Sequence, residues 1–274
     1  MPSPLRENMA KYIKGRCEFL GIPNEEYNFV LVEGNTDSRA FGKIFINGIR
    51  IHPCGPREDV LSDILECVKA ELKGICIVDR DYFSDDELGT DNIVSFCLDS
   101  NNIESFLLKN SIGKGTHSFD SDQLIMRSKH ISKLRASHAN EKLVFSLSRG
   151  RQSLHSDEWV IQGVFDFKGY LEMIEESIPS MARFARKLRR NFPNWFGGSS
   201  DSTFEENPWR WINGKDAIFL LTKDPDFPSQ DHTFVNQLIS DLNEDALETE
   251  PNLFEGIRSY ENRTGRQMLR TSLH

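Results

Sequence analysis

The fold of this chain follows from the stretch FVLVEGNTD at residues 29–37, in which an apolar run ends in Glu33 and a second acidic residue, Asp37, follows. A similar arrangement recurs at residues 74–81, GICIVDRD. Short apolar runs bounded by turn residues are typical of strands that are buried on both faces of a parallel sheet. Two such strands are therefore predicted here, and acidic residues end the second as well: Asp79 and Asp81.

These acidic residues form a candidate metal site. Open α/β sheets place their ligands at the carboxyl ends of the strands, so Glu33, Asp37, Asp79 and Asp81 would meet in one crevice. Carboxylates that lie so close together are tolerated when something neutralises them, and a hard divalent cation does so. The alternative interpretation is that each acidic pair is a solvated loop or a helix cap.

Hydrophobic periodicity predicts the order β-α-β-α-β-β-α for the first 110 residues, which is an α/β pattern with a mostly parallel sheet. Asn35 or Thr36 is expected to cap the second helix, and Asn101 or Asn102 the last one. The predicted strands and helices are strands at 27–32, 49–52, 75–78 and 93–98, and helices at about 4–20, 36–46, 57–72 and 103–108.

The remainder of the chain reads as mainly helical. Residues 111–122 resemble a linker, residues 111–205 are predicted to be a helical insertion on the core, and residues 206–274 a helical segment that packs back on the core. Although the whole chain has a net charge of −9, residues 127–190 hold 13 Lys/Arg and 7 Asp/Glu. This basic segment between acidic ends is typical of a phosphate-binding surface, or else of a solvated helix face.

Composition excludes several classes of protein. With 38% apolar and 27% charged residues, the chain resembles an ordinary globular protein. No apolar run reaches the roughly 18 residues that a membrane span requires, and the amino terminus has no apolar core for a secretion signal. The five cysteines show no Cys-x-x-Cys spacing, so buried free thiols and a cytoplasmic location are expected, with Cys67 and Cys76 as examples.

An Asp-x-Asp pair after a strand also occurs in haloacid-dehalogenase phosphatases. The pattern of those proteins has a Thr or Val two positions after the second aspartate, whereas Tyr82 and Phe83 follow Asp81 in this chain. A glutamate that ends one strand and an Asp-x-Asp that ends another, taken in order, instead resemble the TOPRIM domain of primases, topoisomerases and several nucleases. Three residues match that pattern position for position: Glu33, Asp79 and Asp81.

The longer form of the first motif, which adds Asp37, resembles the OLD-like branch of TOPRIM nucleases. That branch has a Ser-x-Glu pair after the fourth strand; Glu104 fits this pair, but Asn102 stands in place of the serine. A Gly-Lys pair that opens a later helix also belongs to the branch, and Gly214 and Lys215 are similar to it. The order of these motifs is most similar to the AriB family, the effector subunits of PARIS-type anti-phage defence.

The resemblance implies a Mg²⁺- or Mn²⁺-dependent endonuclease with one or two ions, which acts on tRNA, is sequestered by an ABC-type ATPase partner (AriA-like) and is active as a homodimer. It assigns Glu33, Asp79 and Asp81 to the first metal and to catalysis, and Asp37 and Glu104 to a second ion. Lys215 would meet the developing charge on the phosphate.

The basic run near the end of the predicted insertion is a candidate nucleic-acid contact, since basic side chains bind phosphates and neighbouring tryptophans can stack on bases. The alternative is a helix whose arginines are solvated and whose apolar residues are core. Trp195, Phe196, Trp209 and Trp211 are equally candidates for exposed dimer contacts. The basic residues are Arg183, Arg186, Lys187, Arg189 and Arg190.

Three other functions stay open at this point. The chain could be a DNA nuclease of the OLD type rather than an RNA nuclease. It could also be a non-catalytic TOPRIM module that binds metal or nucleotide and regulates a partner, although such a module has no need of five carboxylates. A topoisomerase or primase fragment is disfavoured because the chain is too short for a tyrosine-bearing DNA gate and shows no template-binding domains.

Overall fold

The computed structural model of the protein describes residues 8–80, 94–115, 119–129, 206–222 and 231–269. These residues belong to two compact units. The sheet unit comprises 8–80, 94–99 and 239–269, and the helical unit comprises 100–115, 119–129, 206–222 and 231–238. Both units contain residues that are distant in sequence, and the domain boundaries predicted at residues 110 and 205 stay predictions.

The sheet unit is built on four parallel strands in the order β2-β1-β3-β4. Phe29 lies opposite both Arg50 and Gly74. A Cβ on Gly74 would lie 2.4 Å from the Phe29 ring, so the glycine makes room for that ring. The strands are β1 (Phe29–Val32), β2 (Arg50–Pro53), β3 (Gly74–Val78) and β4 (Ser95–Cys97).

Eight helices lie in the described ranges. In chain order they are α1 (Met9–Leu20), α2 (Asn35–Ile44), α3 (Arg57–Lys69), α4 (Ile103–Lys114), α5 (121–129), α6 (Gly214–Thr222), α7 (Asp231–Ser240) and α8 (Pro251–Thr264). Short 3₁₀ turns lie at Asn24–Glu26, Pro208–Arg210 and Glu244–Thr249. No helix among the described ranges is long and apolar enough to cross a membrane.

Both faces of the sheet are covered, which explains why its central strands are apolar throughout. Because side chains alternate along a strand, one face carries Phe29 and Leu31, which share a buried cluster with residues of α1 and α3. On the other face Phe96 of β4 packs against Gly256 of α8, where a Cβ would lie 2.8 Å from the ring. The predicted α/β class with a parallel sheet is thus confirmed, and the free cysteines Cys67 and Cys76 are buried as expected.

The last described residues are fixed to the sheet unit by one buried carboxylate. Glu261 Oε1 accepts the backbone N–H groups of Met268 and Leu269 at 2.6 and 2.7 Å. Its Oε2 pairs with Arg258 Nη1 at 2.8 Å. Leu269 then forms a bridge with Phe45 after α2. The carboxylate thereby holds residues 268 and 269 against α8, and the bridge joins Leu269 to the residue that follows α2.

Several predicted boundaries need correction. Residues 111–114 are not a linker but the last turn of α4, in which Ser111 is buried and Gly115 ends the helix in a left-handed conformation. Helix α3 ends at Lys69 rather than residue 72, since Glu71 has a φ of 62°. Strand β2 includes Pro53, and a proline is tolerated there because β2 lies at the edge of the sheet. Helix α1 begins at Met9, and residues 4–7 of the predicted helix lie outside the described residues.

Candidate functional site

The candidate site of the sheet unit lies where the strand order changes direction. The chain passes from β1 outward to β2 and then returns to place β3 on the other side of β1. In open parallel sheets, ligands bind outside the carboxyl ends of the strands at such a switch point. Glu33 directly follows β1 and Asp79 directly follows β3, so these two predicted residues occupy that point.

Glu33 and Asp79 are in direct contact. The backbone N–H of Asp79 donates to Glu33 Oε1 at 2.9 Å, and the backbone N–H of Gly55 donates to the Glu33 carbonyl at 3.0 Å. Asp79 is 9% exposed, while Glu33 is partly exposed. The side chain of Glu33 is therefore held over the end of β3 by a charge-assisted hydrogen bond, a strong type of bond.

Asp37 lies in the first turn of α2, which begins directly after Glu33-Gly34. Its Oδ2 accepts the backbone N–H of Gly34 at 3.2 Å, and the side chain is buried. A carboxylate in the first turn of a helix is stabilised by the partial positive charge of the helix amino terminus. Gly34, rather than the predicted Asn35 or Thr36, is the cap residue.

Two buried arginines lie at the same end of the sheet. Arg57 Nη1 donates to the Asp79 carbonyl at 3.3 Å, and Arg80 Nε donates to the Leu98 carbonyl at 3.0 Å. Both guanidinium groups act electrostatically on Cys97, although burial is the larger effect and raises the pKa of that thiol to about 12. The two arginines therefore place buried positive charge at the end of β3 that Asp79 follows.

The donor chemistry of this site fits a hard divalent cation. Mg²⁺ binds oxygen ligands, keeps several waters, and is commonly held by one or two carboxylates together with substrate phosphates. Glu33 and Asp79 can supply such a pair, and a carboxylate oxygen that accepts one hydrogen bond retains further acceptor capacity. Asp81, the third predicted ligand, lies outside the described residues. Within the described part of the chain, no group of three or more His, Cys, Asp or Glu side chains is arranged as a metal site.

The other two predicted site residues lie together in the helical unit. Glu104 is in the first turn of α4 and Lys215 is in the first turn of α6. Lys215 Nζ lies 4.0 Å from Glu104 Oε1, with the lysine side chain 65% exposed and the glutamate side chain 7% exposed. At this distance and exposure the ion pair contributes little to stability.

A buried hydrogen-bonded joint sets the separation of Glu104 and Lys215. Asn102 caps α4, as predicted, and its Oδ1 accepts from the Ser105 N–H at 3.1 Å, the Ser105 hydroxyl at 2.8 Å and the Gly214 N–H at 3.0 Å. The last bond joins the amino termini of α4 and α6. Asn102 therefore has a structural role that a short hydroxyl side chain, such as the serine of the OLD-like motif, could perform only in part.

The predicted nucleic-acid contacts have a mixed outcome. Trp209 is not an exposed anchor, because its side chain is buried within the helical unit and its carbonyl accepts the Asn101 N–H at 2.8 Å. Trp211 is partly exposed, and the Arg210 guanidinium lies 5.5 Å from its ring centroid. The other predicted residues lie outside the described ranges: Arg183, Arg186, Lys187, Arg189, Arg190, Trp195 and Phe196.

Sequence reasoning missed Arg57 and Arg80 at the sheet edge and the joint at Asn102. Arg80 stands between Asp79 and Asp81. An arginine inside an acidic motif is a sequence signal from which its place at the site could have been predicted. Arg57 begins α3 after Pro56 and gives no comparable signal, since its contact with the end of β3 depends on how α3 packs.

Searches for a matching protein-family model, curated protein or solved structure found none. The proposal below therefore rests on the sequence motifs described above and on the geometry of the described residues.

Proposed function

We propose that this chain is a Mg²⁺-dependent nuclease of the TOPRIM type that acts as a toxic effector in anti-phage defence and cleaves RNA, with tRNA as the favoured substrate. The observation that carries the proposal is the contact between Glu33 and Asp79 at the carboxyl ends of β1 and β3. A carboxylate pair at the switch point of a parallel sheet is what a phosphodiester hydrolase needs in order to hold a divalent cation.

The residues of the sheet unit divide the chemistry between them. Glu33 and Asp79 would hold the cation, together with Asp81, and the bound ion would supply charge neutralisation and a water of lowered pKa. Glu33 is partly exposed, so it can also accept a proton from an attacking water. Arg57, through its bond to the Asp79 carbonyl, would keep the end of β3 in place.

In the helical unit the exposed Lys215 would neutralise charge that develops on a substrate phosphate. Its partner Glu104 is the proposed ligand of a second ion. In the sheet unit, Asp37 is a further candidate metal ligand. The ABC-type ATPase partner and the active homodimer belong to the same proposal, and both follow from the resemblance to PARIS-type effectors.

The test is cleavage by the purified full-length chain of separate pools of tRNA, rRNA and plasmid DNA, each with 5 to 10 mM Mg²⁺, with Mn²⁺, or with EDTA. The matched pair of variants is Glu33→Gln, which removes charge at the site, and Glu255→Gln, which makes the same change at an exposed position on α8. We expect metal-dependent cleavage of tRNA that Glu33→Gln abolishes and Glu255→Gln leaves intact.

The other functions predict different results. Cleavage of plasmid DNA alone would establish the OLD-type DNA nuclease instead. Absence of cleavage in every pool, with Mg²⁺ still bound by the wild type and not by Glu33→Gln, would establish a non-catalytic TOPRIM module.

A further inference from the structure

A second surface of the sheet unit combines exposed aromatic and basic side chains, away from the switch point. On α1, three residues recur at helical spacing, Tyr12, Arg16 and Phe19, on an exposed side of the helix next to the side that buries Ile13 and Cys17. Phe19 is 80% exposed and Tyr12 is 38% exposed. Exposed aromatic rings on one side of a helix are unusual enough to mark a binding surface.

The aromatic and basic groups of this surface are ordered by contacts with one another. The Arg16 guanidinium lies 5.8 Å from the centroid of the Phe19 ring. The Tyr12 ring meets His52 of β2 edge-on, with 5.7 Å between centroids and 84° between planes. His52 is in turn fixed by the Tyr27 hydroxyl, which lies 3.2 Å from its Nε2. The edge strand β2 thus extends the surface that begins on α1.

The charge of this surface is positive in an otherwise acidic part of the chain. Helix α1 holds three basic residues and one acidic residue, whereas residues 1–126 together hold 13 Lys/Arg and 21 Asp/Glu. Arg50 adds an exposed cation on β2. After burial, which is the largest effect, the charges of Arg16 and Arg50 further lower the pKa of His52, to about 4. Both arginines therefore direct positive potential at the same place.

We propose that the α1–β2 surface, formed by Tyr12, Arg16, Phe19, Arg50 and His52, binds the unpaired segment of a single-stranded nucleic acid. Phe19 and Tyr12 would stack on successive bases, and Arg16 and Arg50 would bind the phosphates between them. A duplex buries its base faces and cannot stack in this way, so the surface selects single strands. The inference deepens the proposed function, on which it rests, by adding a substrate-binding surface apart from the carboxylates.

The experiment measures the binding of a fluorescein-labelled 20-nucleotide oligouridylate, and of a 20-base-pair RNA duplex, to the full-length chain by fluorescence anisotropy in EDTA. The variants are Phe19→Ala, Arg16→Glu and a matched control, Lys11→Glu, which reverses the same charge on another side of α1. Melting curves of all variants, together with sedimentation of the wild type and Phe19→Ala, accompany the binding data. Phe19 is exposed, so its truncation leaves the core unaltered.

We expect Phe19→Ala to weaken oligouridylate binding about fivefold or more without changing its salt dependence, since stacking is lost. Arg16→Glu should weaken binding more than Lys11→Glu and lower the slope against salt by about one. Duplex should bind more weakly than single strand.

Three results would overturn the inference: no binding of the oligonucleotide by the wild type, equal effects of Arg16→Glu and Lys11→Glu with no effect of Phe19→Ala, or a dimer that Phe19→Ala dissociates while oligonucleotide affinity is unchanged. The last result would mean that a second copy covers the surface. Because binding is measured in EDTA, failure of metal-dependent cleavage would count against the proposed nuclease and leave the α1–β2 surface standing.

Discussion

The backbone N–H of Gly214 lies 3.0 Å from Asn102 Oδ1, and this bond joins the amino termini of α4 and α6. The two helices approach so closely that a Cβ on Gly214 would lie 2.2 Å from the Ser105 nitrogen. The consequence is that Lys215, the next residue, lies within ion-pair distance of Glu104. The Gly-Lys pair therefore works as a unit: the glycine permits the approach and the lysine carries the charge.

Gly214→Ala is expected to destabilise the helical unit by about 2 kcal/mol or more, because the new methyl group would meet backbone atoms that cannot rotate away. Thermal unfolding followed by circular dichroism measures the change. Gly113→Ala is the matched control, since Gly113 lies within α4 and a methyl group added there would meet nothing within 4 Å outside the adjacent backbone of its own helix, so alanine should stabilise slightly. Equal melting temperatures for the two variants would contradict the close approach of α4 and α6.

Asn102→Ala should lower stability by about 1 to 3 kcal/mol, since α4 loses its cap and the buried N–H of Gly214 loses its acceptor. Asn102→Ser should recover part of this loss, because a hydroxyl can still cap Ser105. Urea unfolding of the three proteins provides the comparison. If Ser restores full stability, the bond to Gly214 contributes nothing and the joint needs another explanation.

Glu33→Gln is expected to fold like the wild type without metal, because the amide oxygen of glutamine can still accept the Asp79 N–H. Glu33→Ala should be less stable by about 1 kcal/mol, since that hydrogen bond is lost. If repulsion between the carboxylates outweighed this hydrogen bond, Glu33→Ala would instead be as stable as the wild type or more stable.

The same variants test metal binding independently of cleavage. A ligand that binds the folded state raises the melting temperature, so 10 mM Mg²⁺ should stabilise the wild type and Glu255→Gln but not Glu33→Gln. Differential scanning calorimetry with and without Mg²⁺ gives the result. An equal rise in all three proteins would remove Glu33 from the metal site.

The stability of the sheet unit should depend on His52 below neutral pH. Its pKa falls from 6.5 to about 4 in the folded protein, first because of burial and then because of Arg16 and Arg50. Between pH 6.5 and 4, His52 is therefore protonated in the unfolded chain but neutral in the folded chain. The stability that neutral His52 contributes above pH 6.5 is lost as the pH falls toward 4.

The measurement is the melting temperature of the wild type and of His52→Gln between pH 7.5 and 4.5. The variant loses the Tyr27 hydroxyl contact and should be less stable at pH 7.5. The difference in the free energy of unfolding between the wild type and the variant should be smaller at pH 4.5 by about 1 to 2 kcal/mol. This range allows for the partial exposure of His52. A constant difference would mean that His52 titrates normally in the folded protein.

The central strands β1 and β3 could be predicted from sequence because their signal is local. Both are buried on two faces, so every side chain is apolar and the run stands out from its polar surroundings. The residues after each strand were predictable for the same reason, since parallel strands bring their carboxyl ends to one edge. Element ends were less predictable: Ser111 looked like part of a linker, but the last turn of α4 buries it.

The sequence by itself thus determined the α/β pattern and the presence of Glu33 and Asp79 at the ends of two buried strands. Only the tertiary structure decided which atoms are in contact. These contacts are the bond of the Asp79 N–H to Glu33, the bond of Arg57 to the Asp79 carbonyl, and the bond between Asn102 and Gly214. The physical reason is range. The burial of a strand can be predicted from the periodicity of neighbouring residues. A hydrogen bond between elements far apart in the chain depends instead on how helices and strands pack, and no local sequence pattern predicts that packing.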